Sequence, residues 1–320
     1  MHHNNKLAGA AKSLRQPIAR AKAPKQPVAL TSDIRPGQSI ELLKELHILT
    51  ADGTLNQDSR RKLKQVYHLF GFVEKQLLEL AAMDAATNPN FDLQNPAPSG
   101  LTLADHGAGK SYLGFILYDL FFKAAGKGHV YGVESRGELV SKSRELALRL
   151  GFDRMSFLEL TVAEAVNTVQ MPEHIDIVTA LHACDTATDD AIAFGLKKNA
   201  RAMILVPCCQ AEVARALNQN KAFSLKRTPL AELWRHPMHT REIGSQITNV
   251  LRCLYLESRG FTVTVTELVG WEHSMKNELI IARRGGRSAH QRLESTERLA
   301  ALLDQFGLTA LRETRFHLGA

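Results

Sequence analysis

The stretch Leu101-Thr102-Leu103-Ala104-Asp105-His106-Gly107-Ala108-Gly109-Lys110 decides the fold, together with Val130-Tyr131-Gly132-Val133-Glu134, one helix-length segment further on. The first is a short apolar strand that runs into an acid and a Gly-x-Gly turn. The second is another short strand, ending on a carboxylate. Strand, glycine turn, helix and acid-terminated strand together form a nucleoside-binding half-site. The glycines let backbone approach a ligand closely, and the acid is placed to accept the two hydroxyls of a ribose.

From Leu101 onward the apolar periodicity alternates between strand and helix. Strands are expected over 101–105, 129–134, 155–160, 175–181, 202–207, 261–269 and 278–283. Helices fit 111–125, 137–150, 162–170, 186–198, 209–219 and 241–259, with Gly126, Gly151 and Gly260 just past three of them as stop residues. Such alternation predicts a mostly parallel sheet covered on both faces. The last two strands have no helix between them and must pair as an antiparallel hairpin. The fold class is therefore α/β: a Rossmann-like, seven-stranded, mostly parallel sheet with a C-terminal antiparallel hairpin.

Upstream, 39–50 and 56–82 read as helices. Leu63, Val66, Tyr67, Phe70, Val73, Leu77, Leu78 and Ala81 make one apolar face of the second, and Asn56 or Asp58 is placed to cap it. Residues 88–100 have linker composition. The expected organisation is a basic, disordered tail (1–36), a helical N-terminal extension with linker (37–98), the α/β domain (99–285, with an insertion near 220–242), and a C-terminal helix and tail (286–320) whose 290–306 is amphipathic.

The 320 residues carry a formal charge of +7, but the basicity is local. Lys6, Lys12, Arg15, Arg20, Lys22, Lys25 and Arg35 stand against Asp33 alone, so the first 36 residues hold +6 and the remainder is nearly neutral. The tail reads as an arm for nucleic-acid phosphates, as a targeting segment, or as a solvated extension. No apolar run approaches the roughly 20 residues that span a bilayer, so no membrane association is expected. Cys184, Cys208, Cys209 and Cys253 are too few and too clustered for a disulfide framework, which points to a reducing, cytoplasmic setting.

Three ligands compete for the glycine turn. A nicotinamide dinucleotide wants a third glycine where Tyr112 stands. A P-loop nucleotide matches Gly109-Lys110-Ser111, but the first glycine of that motif is Ala104, and Asp105 would put a carboxylate inside the phosphate cradle. S-adenosylmethionine (SAM) has no phosphates and carries an ammonium and a sulfonium, so acids at the strand ends help it. SAM accounts for Asp105, Tyr112, Glu134 and the terminal hairpin together. It is expected to lie across Asp105, Gly107 and Gly109, with Tyr112 nearby, Glu134 on the ribose, and Thr161 and Val162 flanking adenine.

The fourth and fifth strands, neighbours in such a sheet, end in Leu181-His182-Ala183-Cys184-Asp185 and Pro207-Cys208-Cys209-Gln210. Their carboxyl ends would bring His182, Cys184, Asp185, Cys208 and Cys209 into the crevice where α/β sheets bind ligands. His182, Asp185 or Asp189 could take a proton from the acceptor. Asp189 and Asp190 are equally suited to the first turn of a helix. Cys208 or Cys209 could act as a nucleophile or simply pack. No metal is expected, because adjacent cysteines rarely both ligate one tetrahedral ion. In the insertion, Trp234 with Arg235, His236, His239 and Arg241 reads either as a platform for a base and phosphates or as an anchor, with Thr240 capping the next helix.

Leu-His-Ala-Cys-x-x-x-Thr-Asp (181–189) followed by Pro-Cys-Cys (207–209) resembles the methyltransferase domain shared by Trm13-type tRNA 2′-O-methyltransferases and the glutathione S-transferase C-terminal-domain-containing protein. The resemblance covers about residues 100–285. It implies SAM as methyl donor and suggests RNA as acceptor. The zinc-finger segments of the tRNA enzymes do not occur in these 320 residues, so their target does not carry over. The expectation is a SAM-dependent methyltransferase acting on tRNA or rRNA, with His182, Cys184, Asp185 and Cys208 bordering the transferred methyl. A protein or small-molecule acceptor, or a non-catalytic SAM-binding module, are the alternatives.

Overall fold

In the computed structural model, which describes residues 33–87, 100–181, 185–207, 211–219, 228–268 and 278–317, local capping sets several helix starts. Ser39 accepts from the N–H of Leu42 to open α1 (Ile40–Glu45). Asn56 accepts from Ser59 N–H at 2.8 Å at the head of α2 (Gln57–Thr87). Leu63, Phe70, Val73, Leu77 and Ala81 are buried as the apolar pattern predicts, but Leu78 is 52% exposed and Leu80 takes a buried place instead. The C-terminal half of α2 is tied to the sheet by Arg201–Asp84 and Arg283–Glu79 ion pairs.

The seven strands are β1 (Thr102–His106), β2 (His129–Glu134), β3 (Met155–Glu159), β4 (Ile177–Ala180), β5 (Ala202–Leu205), β6 (Phe261–Glu267) and β7 (Glu278–Arg284), each within a few residues of its predicted span. They lie in the order β3-β2-β1-β4-β5-β7-β6. The first five pair in parallel, and β7 is antiparallel to both β5 and β6. The predicted Rossmann-like sheet with a terminal hairpin is present, with β7 between β5 and β6. Strand order reverses between β1 and β4, and the crevice beyond their carboxyl ends is where such sheets hold ligands.

Between β1 and β2, α3 (Tyr112–Leu117) passes through a π-helical turn (Tyr118–Phe122) into α4 (Lys123–Ala125), and Gly126 stops it at φ +65°. Next come α5 (Gly137–Arg149), α6 (Val162–Ala165), α7 (Thr186–Lys197), α8 (Glu212–Gln219) and α9 (Pro237–Ser258). A capping box at Ser288 and Gln291 opens α10 (Ala289–Gln305), and α11 (Leu311–Thr314) follows.

Three helices depart from expectation. The helix expected over 39–50 ends at Glu45, where Leu46 caps it. The segment predicted as helical over 162–170 is helical only to Ala165, since Asn167 and Thr168 are poor helix formers and Pro172 follows. The helix expected from 241 begins at Pro237, whose fixed φ suits a first helical position. Thr240 therefore does not cap it. It lies buried inside α9 and donates back to the carbonyls of Trp234 and His236.

One face of the sheet carries Ala104, Val178, Met203, Leu205 and Ile280 under Phe194, Leu251, Tyr255 and Leu299. On the other, Phe115 of α3 lies against Phe157 of β3, with ring centroids 5.4 Å apart. Among the described residues no helix is long and apolar enough to cross a membrane.

Candidate cofactor site

After β1 the chain adopts left-handed backbone at alternate residues: Gly107 (φ +63°), Gly109 (φ +58°) and Ser111 (φ +52°). Glycine takes this conformation freely, whereas Ser111 holds it against its own Cβ. The Ser111 hydroxyl is buried without a partner and does not cap α3. Alternation of this kind can gather successive amides into a phosphate cradle, but here Ala108 N–H donates to the Val133 carbonyl at 3.1 Å and Ser111 N–H to the Ala108 carbonyl at 2.7 Å.

A side chain of the protein takes the amide between them. Gly109 N–H donates to Oε2 of Glu134 at 2.8 Å. Glu134, the last residue of β2, also accepts from Arg136 through its backbone N–H (3.0 Å), Nε (2.9 Å) and Nη2 (3.0 Å). These donors, the Arg136 side chain foremost, outweigh burial and hold the carboxyl at about 2, so it stays ionised. A phosphate arriving at this turn would find its amide taken and a fixed negative charge in its place.

Asp105 is buried one residue before the end of β1. It faces its register partner on β4, Thr179, whose hydroxyl donates to Oδ1 at 2.6 Å. Burial pushes the carboxyl up to about 7, and the Thr179 bond only partly opposes that. The site thus holds one permanently charged carboxylate and one poised near neutrality.

His106 lies between Asp105 and the turn and was not predicted as a site residue. It is fully buried, 4.2 Å from the Phe194 ring, with both ring nitrogens unpartnered. Burial pushes it down to about 3, so the imidazole is neutral. A polar residue at the end of an otherwise apolar strand was the available signal.

Tyr112 is half-buried at the first position of α3. Thr161 caps α6 through a reciprocal box with Glu164, which engages both its hydroxyl and its N–H. Val162 opens that helix. Asp185 (φ +51°, ψ −121°) accepts from the N–H groups of Ala211 (2.9 Å) and Glu212 (3.2 Å) and pairs with Arg215. Burial raises its affinity for a proton, but those donors prevail and the carboxyl sits below its ordinary value. Its side chain therefore ties the segment after β4 to the start of α8. His182, Cys184, Cys208 and Cys209 lie outside the described residues. Among the described residues no His, Cys, Asp and Glu cluster could hold a metal.

Asp189 is not a free acid. Both its oxygens bind the guanidinium of Arg252, at 2.8 and 2.7 Å, and Arg252 is completely buried and also donates to the Asp185 carbonyl. In the insertion, Trp234 is half-buried with its ring 6.3 Å from Phe306 in an edge-on contact, which favours the anchor reading. Arg235 pairs with Glu232, and Arg241 with Glu242.

Residues 61–216, from α2 into α8, match a family model described as a methyltransferase domain. By that match these residues form a methyltransferase domain. The donor set fits its cofactor: two carboxylates at adjacent strand ends suit a cationic nucleoside, and the turn has no amide to spare for a phosphate at Gly109. No curated protein matches this methyltransferase. Solved structures match it at low identity. Magnesium protoporphyrin IX methyltransferase from Synechocystis PCC 6803 with bound SAH is 15% identical, with TM-score 0.40, over 77% of this chain and 93% of that one. An rRNA methylase from Streptococcus thermophilus is 11% identical, with TM-score 0.35, over 58% and 88%. The Methanococcus jannaschii fibrillarin pre-rRNA processing protein is 11% identical, with TM-score 0.36, over 59% and 68%.

Proposed function

We propose that this methyltransferase modifies RNA, tRNA or rRNA, and that the carboxylates of Glu134 and Asp105 hold SAM. The observation that carries the cofactor placement is the Glu134 carboxylate seated on the Gly109 amide, because it makes the turn receptive to a ribose and hostile to a phosphate. SAM supplies a methyl group on a sulfonium, activated for displacement. Glu134 binds the ribose hydroxyls. Asp105, beneath the turn, balances the positive charge of the methionine part. Thr161 and Val162 border adenine, and Gly107, Gly109 and Tyr112 shape the seat.

His182, Cys184, Asp185 and Cys208 border the acceptor in this reading. Asp185 does so by holding the two strand-end segments together, since its carboxylate is engaged in capping α8. Catalysis is chiefly alignment, because methyl displacement needs its acceptor in line and close. RNA as acceptor is supported by the charge of the N-terminal tail and by the His-x-Cys and Cys-Cys motif resemblance. A cytoplasmic setting agrees with the cysteine usage.

A small-molecule acceptor is the second reading. It is favoured by the self-paired arginines of the insertion, which leave that segment little charge to offer a phosphate backbone. The test incubates the protein with methyl-labelled SAM and total RNA, then with protein extract and with a metabolite fraction. Label in RNA supports the proposal. Label only in another pool replaces it, and label in none removes it.

A further inference from the structure

An ionised carboxylate offers about four acceptor positions, and in Glu134 all four are taken. Oε1 accepts the backbone N–H and Nε of Arg136, and Oε2 accepts Gly109 N–H and Nη2 of Arg136; the Ser135 hydroxyl is a longer, fifth donor to Oε1 at 3.5 Å. A ribose must bring two hydroxyl donors to the same atoms. Something has to yield, and the four closer donors differ in how readily they can. Two are backbone amides fixed by the glycine turn and the start of α5. The other two belong to one guanidinium on a flexible side chain that is 62% exposed, while Glu134 is 7% exposed. That guanidinium also lies over the glycine turn, with Nη2 3.8 Å from where a Cβ on Gly109 would be.

We infer that Arg136 is an internal competitor for the ribose seat: its guanidinium stands in for the two ribose hydroxyls, swings away when the nucleoside binds, and thereby sets cofactor affinity. This rests on the assignment of Glu134 to the ribose. Arg136 is then a residue that lowers affinity for both donor and demethylated product. A structural role, in which Arg136 merely orients Glu134, predicts the opposite sign.

The experiment measures binding of S-adenosylhomocysteine, which carries no sulfonium charge, by calorimetry to the wild-type protein and to the Arg136→Ala and Arg136→Lys variants. Melting curves check that each is folded. Removing the guanidinium should tighten binding about two- to fivefold, the scale of a solvent-exposed ion pair. Lysine keeps the charge without the two-pronged fork, so it should fall between. Raising salt to about 0.5 M should screen the Arg136–Glu134 pair. Wild-type affinity should then climb toward that of Arg136→Ala, whose own affinity should stay flat. Equal or weaker binding by Arg136→Ala overturns the inference while leaving the ribose assignment intact. Failure of both wild type and Arg136→Ala to bind any adenosyl ligand overturns the assignment itself, and binding by Arg136→Ala alone supports both.

Discussion

The backbone N–H of Gly109 donates to Oε2 of Glu134 at 2.8 Å, so the glycine turn after β1 is closed from within by the acid that ends β2. The same pairing of residue types could have served a dinucleotide or a nucleoside triphosphate. Because the carboxylate sits on the amide, the turn should favour a ligand that brings hydroxyl donors and positive charge, as proposed above.

Glu134 should therefore be the largest single contributor to cofactor affinity. A hydrogen bond to a charged group is worth about 1.5–3 kcal/mol, so Glu134→Ala should weaken SAM binding by about tenfold to a hundredfold. Calorimetry measures this directly. Unchanged affinity would place the ribose elsewhere.

Asp105 makes binding depend on pH. Its carboxyl sits at about 7, and a bound cation favours the charged form. SAM affinity should fall as pH drops from about 8 to about 6, and Asp105→Asn should abolish that slope. Stability runs the other way. An acid whose folded value is raised adds no cost below its unfolded value near 4, and its cost grows as pH rises toward 7 and then levels off. Without ligand, Asp105→Asn should melt higher than wild type near pH 8 and the same near pH 4. Identical melting shifts at both values would show that Asp105 carries no such burden.

The buried Arg252–Asp189 pair anchors the head of α7 to α9. Arg252→Ala strands the Asp189 carboxylate and opens a cavity, and should cost about 3–5 kcal/mol in a denaturant titration. Replacing both residues with apolar side chains of similar volume should recover much of that loss. A single variant within about 0.5 kcal/mol of wild type would show that Asp189 finds another partner or reaches solvent.

Much of the architecture is legible in the chain because the signals are local. Gly126, Gly151 and Gly260 do stop helices, at φ values of +65°, +66° and +88°. The last two strands, expected to pair in opposite directions, do so as β6 and β7. What the sequence hides is long-range. The donors to the Asp185 carboxylate come from residues 26 and more positions away. Arg252 looks like a surface residue of an amphipathic helix until Asp189, 63 positions distant, draws it into the core. Arg136 is two residues from Glu134, yet nothing in its spacing announces that its side chain would fold back over that acid. Trp234 reads equally as a base platform or an anchor until Phe306 appears beside it.

The most direct test is calorimetric titration of the purified protein with S-adenosylhomocysteine, ATP and NAD in parallel. Saturable binding of S-adenosylhomocysteine, lost in Glu134→Ala, with no heat from either phosphate ligand, is the predicted result. ATP or NAD binding that survives Glu134→Ala and is lost when Gly109 is replaced would contradict the account.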